Sequence, residues 1–444
     1  MNTELENGQI PRYLRVYHYY RDLILSGSLP AGTRLPSIRK GAAQFQMSRT
    51  TMETAYLLLA AEGYLIAKPQ SGYYVTDIAK ARQYSWEKKE KGEKPREAVR
   101  YDFVSASVDK ESFRFEVWRR YMKSALRQDS RLLSYGEPQG EADFREVLGK
   151  YLLEKRNVLC SSEQIVIGAG VQSLLHILCP LVAGRKKVAF YNPGFRQGTA
   201  VFEDHGFSLA EDYREEGTGL YYVTPSQMNS MGEVMPVSRR MDLLKYAEEQ
   251  NILLIEDDYN NEFRYFQKPA PSLQGLSGGR GVVYLGTFSR LLLPSIRMSF
   301  MVLPRELLEA YQARRDFYNQ TASKAEQIAL TQYIRDGHLD RQIRKSRKTW
   351  LAKAKAMEQA AEEVLGKDAA VTLQEAGFMV VLDIRTSCTA EELADRLRKK
   401  NMRVTPVQSR NGKKTARLIL SCSQVPAADY PEAMRLIKEA AKEE

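Results

Sequence analysis

A chain of 444 residues is too long for one ordinary domain, so two or three are expected, with room for a sizeable core. Its 66 Lys and Arg against 55 Asp and Glu leave a net charge of +11, which suits a polyanionic partner, although a generic basic surface gives the same total and location has to decide. The longest apolar runs fall short of the roughly 18 to 20 residues a membrane span needs, and the N-terminus MNTELENGQIPRY has no apolar targeting segment, so a soluble cytoplasmic protein with no membrane partner is expected.

From Tyr13 to Leu25 apolar and aromatic residues recur at mostly helical spacing, and Gly27 with Pro30-Ala31-Gly32 breaks the pattern. A second short helix is expected after Pro36-Ser37, with Ile38, Ala42 and Phe45 on one face. Gln46-Met47-Ser48 then turns into a third, for which Ser48 is the predicted N-cap, accepting from a backbone N–H at Thr50 or Thr51. Met52, Ala55, Tyr56 and Leu59 follow at i, i+3, i+4 and i+7, which leaves Arg49, Thr50 and Glu53 on the opposite face, where a recognition helix meets base edges. Tyr64–Ala67 and Tyr73–Val75 read as two strands of a hairpin wing. Through Gly32-Thr33-Arg34-Leu35-Pro36-Ser37, Ser48-Arg49-Thr50-Thr51, Glu62-Gly63-Tyr64 and Ser71-Gly72, this region resembles the GntR family of winged helix-turn-helix repressors. The resemblance implies that Arg39, Arg49, Thr50, Thr51 and Gly72 contact a double-stranded DNA operator, by phosphate grip, guanine fork or hydroxyl contact. Glu53 stands where some relatives carry a basic residue. The plainer alternative is that Arg34, Arg39 and Arg49 are solvated surface charges.

Residues 78–100 are rich in Lys, Arg and Glu and broken by Gly92 and Pro95, and they read as a solvated basic linker. From Tyr101 onward strand-like runs alternate with helical patterns, which predicts an α/β region with a mostly parallel sheet. Helices are expected over Phe115–Arg127 and Glu141–Lys155. Gln164–Ile167 reads as a strand, Gly168-Ala169-Gly170 as a tight turn, and Val171–Leu178 as a helix whose first amides face a phosphate. Ile252–Ile255 and Val282–Leu285 read as buried parallel strands, each ending in polar residues where such sheets bind ligands. Cys160, Cys179, Cys388 and Cys422 match no metal spacing, so reduced thiols and no metal site are expected. His18, His176, His205 and His338 form no catalytic constellation.

Tyr135-Gly136-Glu137-Pro138-Gln139-Gly140, Asn192-Pro193-Gly194-Phe195, Thr224-Pro225-Ser226, Ile255–Tyr265 and Gly286–Pro304 look like a fold-type I aminotransferase domain. Joined to a GntR reader, that is the MocR-type regulator arrangement. The resemblance implies residues 1–77 as the winged helix, 78–100 as linker, 101–333 as the large parallel-sheet domain and 334–444 as a smaller C-terminal α/β domain. It also implies a pyridoxal 5'-phosphate pocket. Asp257 would face the pyridine nitrogen, Tyr259 would bond the ring's phenolic oxygen, and Phe195 would stack on the ring. Val171 and Gln172 by backbone, Thr287 and Ser289 by hydroxyl, and Arg297 by a charge-assisted fork would bind the phosphate. The local alternative is that Asp257 caps a strand end and Arg297 pairs with a surface acid.

The family's Schiff-base lysine follows Ser289, and here that residue is Arg290. A guanidinium stays protonated to a pKa above about 12, so no internal aldimine can form at this position. Two further departures fall nearby. The loop Ser226–Gly232 lacks the usual proline, and Ser299 stands where a glycine is usual. Arg290 would still favour a phosphate or carboxylate; alternatively it pairs with Asp257 or another acid and the pocket is empty. Toward the C-terminus, the basic run Arg341–Trp350 has Ile343, Trp350 and Leu351 as an apolar side and reads as a solvated helix face. Phe378–Ile384 reads as a strand, and Arg417 lies near where aminotransferases place a substrate-carboxylate arginine. The reading that follows is a transcription regulator whose non-catalytic aminotransferase-like domain dimerises and senses a small-molecule effector. A pyridoxal-phosphate aminotransferase with an accessory DNA-binding domain is the alternative, and Arg290 speaks against it.

Overall fold

Two compact units, residues 1–97 and 98–444, divide the chain. The structure, a computed structural model, describes residues 11–77, 99–104, 112–192, 194–229, 232–259, 262, 270–373, 379–407 and 415–443. The expected linker, apart from its last two residues, lies outside that set.

In the first unit α1 (Arg12–Leu25), α2 (Ile38–Gln44) and α3 (Arg49–Ala61) precede the hairpin of β1 (Leu65–Lys68) and β2 (Gly72–Val75). The stripe Met52, Ala55, Tyr56 and Leu59 is 0% exposed and packs against Val16, Tyr20 and Ile24 of α1. The backbone N–H of Thr51 donates to Ser48 Oγ at 3.1 Å, which satisfies one of the orphan amides at the start of α3. Ser37 caps α2 in the same way, accepting from Lys40 N–H at 3.3 Å. Gly32–Leu35 runs along β2 through Gly32 N–H to Val75 O and Leu35 N–H to Tyr73 O, both 2.9 Å, and so adds a third edge to the wing.

The second unit opens with a short strand, β3 (Tyr101–Asp102). It then builds a seven-stranded sheet from β4 (Ile165–Gly168), β5 (Lys187–Phe190), β6 (Ser208–Ala210), β7 (Leu220–Val223), β8 (Leu253–Asp257), β9 (Val282–Thr287) and β10 (Ser299–Val302). Their order is β4-β10-β9-β8-β7-β5-β6, parallel except for β10, which runs antiparallel to both neighbours. β8 is buried along its whole length. Leu253 and Ile255 face a core shared with α4 (Val171–Leu181), whereas Leu254 faces one shared with Leu243 and Ala247. Helices thus cover both faces, as a parallel sheet requires.

The rest of the chain adds β11 (Ala369–Leu373), β12 (Met379–Arg385), β13 (Met402–Arg403), β14 (Thr405–Val407) and β15 (Thr415–Ser421). Four of these form an antiparallel sheet in the order β11-β12-β15-β14. β13 instead pairs in parallel with β3, about three hundred residues back in sequence. The basic run lies in α5 (His338–Leu365), with Ile343 and Trp350 buried and Arg341, Arg344, Lys345 and Lys348 exposed, an amphipathic helix face. Among the described residues no helix is long and apolar enough to cross a membrane.

Candidate functional site

A cavity of about 510 Å³ opens at the C-terminal ends of β8 and β9, against the N-terminus of α4. That is where a parallel α/β sheet presents ligand sites. Val171, Gln172, Phe195, Asp257, Tyr259, Thr287, Ser289 and Arg297, drawn from four separate stretches of sequence, all line it, and so does Arg290. Its walls come from residues 170–299.

The part of the lining around Gly170 suits an anion. Gly170 has φ +96, a conformation that L side chains avoid, and a Cβ there would come within 2.5 Å of Arg297 Nη2. The glycine therefore lets Arg297 lie against the backbone turn that opens α4. The first-turn amides of Val171 and Gln172 have no partner within the helix, and together with the guanidinium they make a positive cup. Thr287 and Ser289 are partly engaged by their own loop. Ser289 Oγ donates to Ile296 O at 3.1 Å, and Thr287 Oγ1 accepts from Ser289 N–H at 3.2 Å and from Ser299 Oγ at 3.0 Å. Ser299, where a glycine is usual, thus supplies an extra hydroxyl under the cup.

The lining also holds Asp257. The Tyr222 hydroxyl donates to its Oδ2 at 2.6 Å, while Oδ1 is buried and without a partner. Burial pushes the carboxyl up to about 6; Asp258 adds to this, and Tyr222 and Arg290 pull it back. Tyr259 is pushed up to about 12, again chiefly by burial. The Arg290 guanidinium sits 5.4 Å from the centroid of the Tyr259 ring, a cation–π distance. Burial draws its pKa down, and Tyr259 and Asp257 oppose that; a guanidinium nevertheless stays charged at any physiological pH. Phe195 tilts against Tyr222 with ring centroids 5.4 Å apart, forming a side wall.

Two participants escape a reading of the sequence. Tyr222 lies in the run Leu220-Tyr221-Tyr222-Val223, which reads as an ordinary buried strand, and only the parallel pairing of β7 with β8 brings it to Asp257. The second is the support beneath the cavity. Asp258, the other acid of the pair, accepts from Arg156 Nε at 2.8 Å and from the Tyr284 hydroxyl at 2.7 Å, all three being buried. Burial works against the Asp258 charge, but the Arg156 guanidinium prevails and holds its pKa below the usual range. The doubled acid Asp257-Asp258 was the available signal. Arg417 lies outside the cavity lining and forks onto Asp383 across the β12–β15 pair at 2.6 and 2.8 Å.

On the first unit Arg39, Arg49, Thr50 and Gly72 are exposed and Thr51 is half-buried. Arg49 and Thr50 open α3, and Thr51 Oγ1 lies 2.7 Å from Ser48 Oγ. Gly72, at φ +105, starts the returning strand of the wing. The face is polar and basic where a helix would enter a groove.

The family described as bacterial regulatory proteins, gntR family, matches residues 12–75, and aminotransferase class I and II matches residues 106–437. The HTH-type transcriptional regulator YdeL of Bacillus subtilis is 34% identical, covering 98% of this chain and 97% of its own. The probable rhizopine catabolism regulatory protein MocR of Rhizobium meliloti is 28% identical over 84% of this chain and 82% of its own. Among solved structures, the multiple substrate aminotransferase of Thermococcus profundus superposes with a TM-score of 0.64 at 22% identity, covering 78% of this chain and 92% of that one. This is a likeness of fold.

Proposed function

Because the chain belongs to the MocR-type transcription regulators, a gntR-family winged helix joined to an aminotransferase class I and II region, we propose that its larger unit senses a ligand and dimerises rather than catalyses. The protein is a DNA-binding transcription regulator. In this reading Arg39, Arg49, Thr50, Thr51 and Gly72 meet the operator. The effector is pyridoxal 5'-phosphate or a close analogue, held without a covalent bond. Such a ligand would supply a phosphate, a ring nitrogen and a carbonyl to the cavity.

The observation that carries the reading is that Asp257, whose Oδ1 is buried and has no partner, lines the same cavity as the positive cup of Val171, Gln172 and Arg297. An orphaned carboxylate oxygen costs stability unless something fills the place. A protonated ring nitrogen fits it, and the α4 amides with Arg297 fit a phosphate. Phe195 and Tyr259 would hold the ring. With Arg290 after Ser289 the cavity keeps these holds and has no amine at that position to condense with an aldehyde. Ligand binding would bias two arrangements of the dimer that differ in the spacing of its DNA readers.

The test titrates the purified protein with pyridoxal 5'-phosphate, followed by absorbance, borohydride reduction with mass analysis, and DNA affinity on the chain's own upstream sequence. The expected outcome is saturable, dialysable binding that borohydride does not trap, together with a changed DNA affinity. Arg290→Lys should become trappable at position 290. A trapped adduct in the unaltered protein would reopen the aminotransferase reading, and DNA affinity indifferent to bound ligand would remove the sensing role.

A further inference from the structure

A second cavity, of about 660 Å³, lies in the larger unit and shares no lining residue with the first. Gln164, Arg280 and Arg305 belong to its lining. Gln164 immediately precedes β4, Arg280 comes just before β9, and Arg305 follows soon after β10. The first cavity takes Gly170, Thr287 and Ser299 from the other ends of the same three strands. The two cavities therefore sit at opposite ends of the sheet, about 20 Å apart along the six residues of β9.

The charged residues of this second lining are Arg280 and Arg305, both exposed. Among the described residues neither guanidinium has an ion pair or a hydrogen bond. Glu306, beside Arg305 in sequence, accepts from Gly281 N–H at 2.7 Å. Gln164 is engaged at both ends of its amide, donating to Leu303 O at 2.8 Å and accepting from Ser161 N–H at 3.0 Å. Recognition of a charge thus falls to the two arginines, which offer donors in a planar fork that matches a carboxylate or a phosphate. Leu153 and Leu159, 52% and 41% exposed, and the half-buried Cys160 supply an apolar wall. Burial pushes the Cys160 thiol up to about 11, so at neutral pH it stays protonated and adds no negative charge. Apolar surface beside a few polar groups, in a space of this size, is the make-up of a small-molecule site.

We propose that this cavity is a second ligand site, for an organic anion whose carboxylate or phosphate meets Arg280 and Arg305 and whose apolar body covers Leu153, Leu159 and Cys160. It is independent of the pyridoxal reading of the first cavity. Both parts of the ligand are needed, because exposed arginines hold a bare anion weakly and the apolar wall alone does not select a charge.

The experiment titrates the full chain calorimetrically with octanoate, octyl phosphate, butanoate and octylamine. Octanoate and octyl phosphate should bind saturably, the tighter of the two naming the head group, with butanoate and octylamine each weaker by about tenfold or more. The double variant Arg280→Gln, Arg305→Gln should bind both octyl anions about tenfold more weakly, with an unchanged circular dichroism spectrum. Cys160 reports the place without any substitution. Cys179, Cys388 and Cys422 are buried, so iodoacetamide labelling mapped by mass should fall on Cys160 and slow severalfold when the anion is bound. Equal affinity for octanoate and octylamine overturns the proposal. So does anion binding that survives the double variant, or that leaves Cys160 as reactive as before. If neither octyl anion saturates, the site itself is removed.

Discussion

Asp257 is held where its own charge is disfavoured. Its folded pKa of about 6 lies above the ordinary 3.8, so between those values the folded protein keeps a proton that the unfolded chain has released. The contribution of Asp257 to stability is therefore fully present below the ordinary value and is lost as pH rises through about 6. Asp257→Asn removes the ionisation while keeping the shape. The ligand-free variant should gain stability, and by about 1 kcal/mol more near pH 8 than near pH 5, read from urea unfolding at both. A gain of equal size at both would mean that the charge is not the source. The same variant should lose ligand-induced stabilisation, a trade of stability against function. The acid and its neighbour Tyr259 were legible in the sequence as a motif. Tyr222 was not, because nothing in an apolar strand thirty-five residues away marks which side chain will point at an acid.

At the scale of single elements, α3 and the Arg156–Asp258–Tyr284 group behave differently. Arg49 is exposed at the start of α3 and takes no part in the core, so Arg49→Ala should leave unfolding unchanged within about 0.5 kcal/mol. It should weaken operator binding and, if it grips phosphate, lower the slope of log affinity against log salt by about 1. An unchanged affinity in fluorescence anisotropy would remove it from the interface. Arg156 is buried between its helix and the end of β8, and Arg156→Ala would strand the Asp258 charge. That should cost about 3 to 5 kcal/mol, measured by denaturant unfolding of the second unit. The caps and stripe of α3 followed from local spacing, which is why they could be read from sequence. α4 runs to Leu181, three residues beyond the expected Leu178, with Pro180 in its last turn.

For the whole molecule, the α/β class was readable from alternation but the strand order was not. β10 follows β9 after residues 288–298, too short a stretch for a crossover helix, so it returns antiparallel and wedges between β9 and β4. That insertion brings Ser299 beside Thr287. Two-fold symmetric operators call for a dimer. Sedimentation of the full chain should give twice the chain mass, and footprinting should show two half-sites. A monomer that protects one half-site with undiminished affinity would refute this.

The first residues after the linker do not start the seven-stranded sheet. They are stitched to the last part of the chain: β3 lies along β13, Ser421 N–H reaches Phe103 O at 2.8 Å, and Asp102 pairs with Arg403 at 3.3 Å. In mechanical terms residues 101–103 are fastened to the C-terminal strands and not to the cavity floor. A load taken up at Tyr101 would pass into β13 and, through Phe103, into β15 before it reached any strand of the seven-stranded sheet.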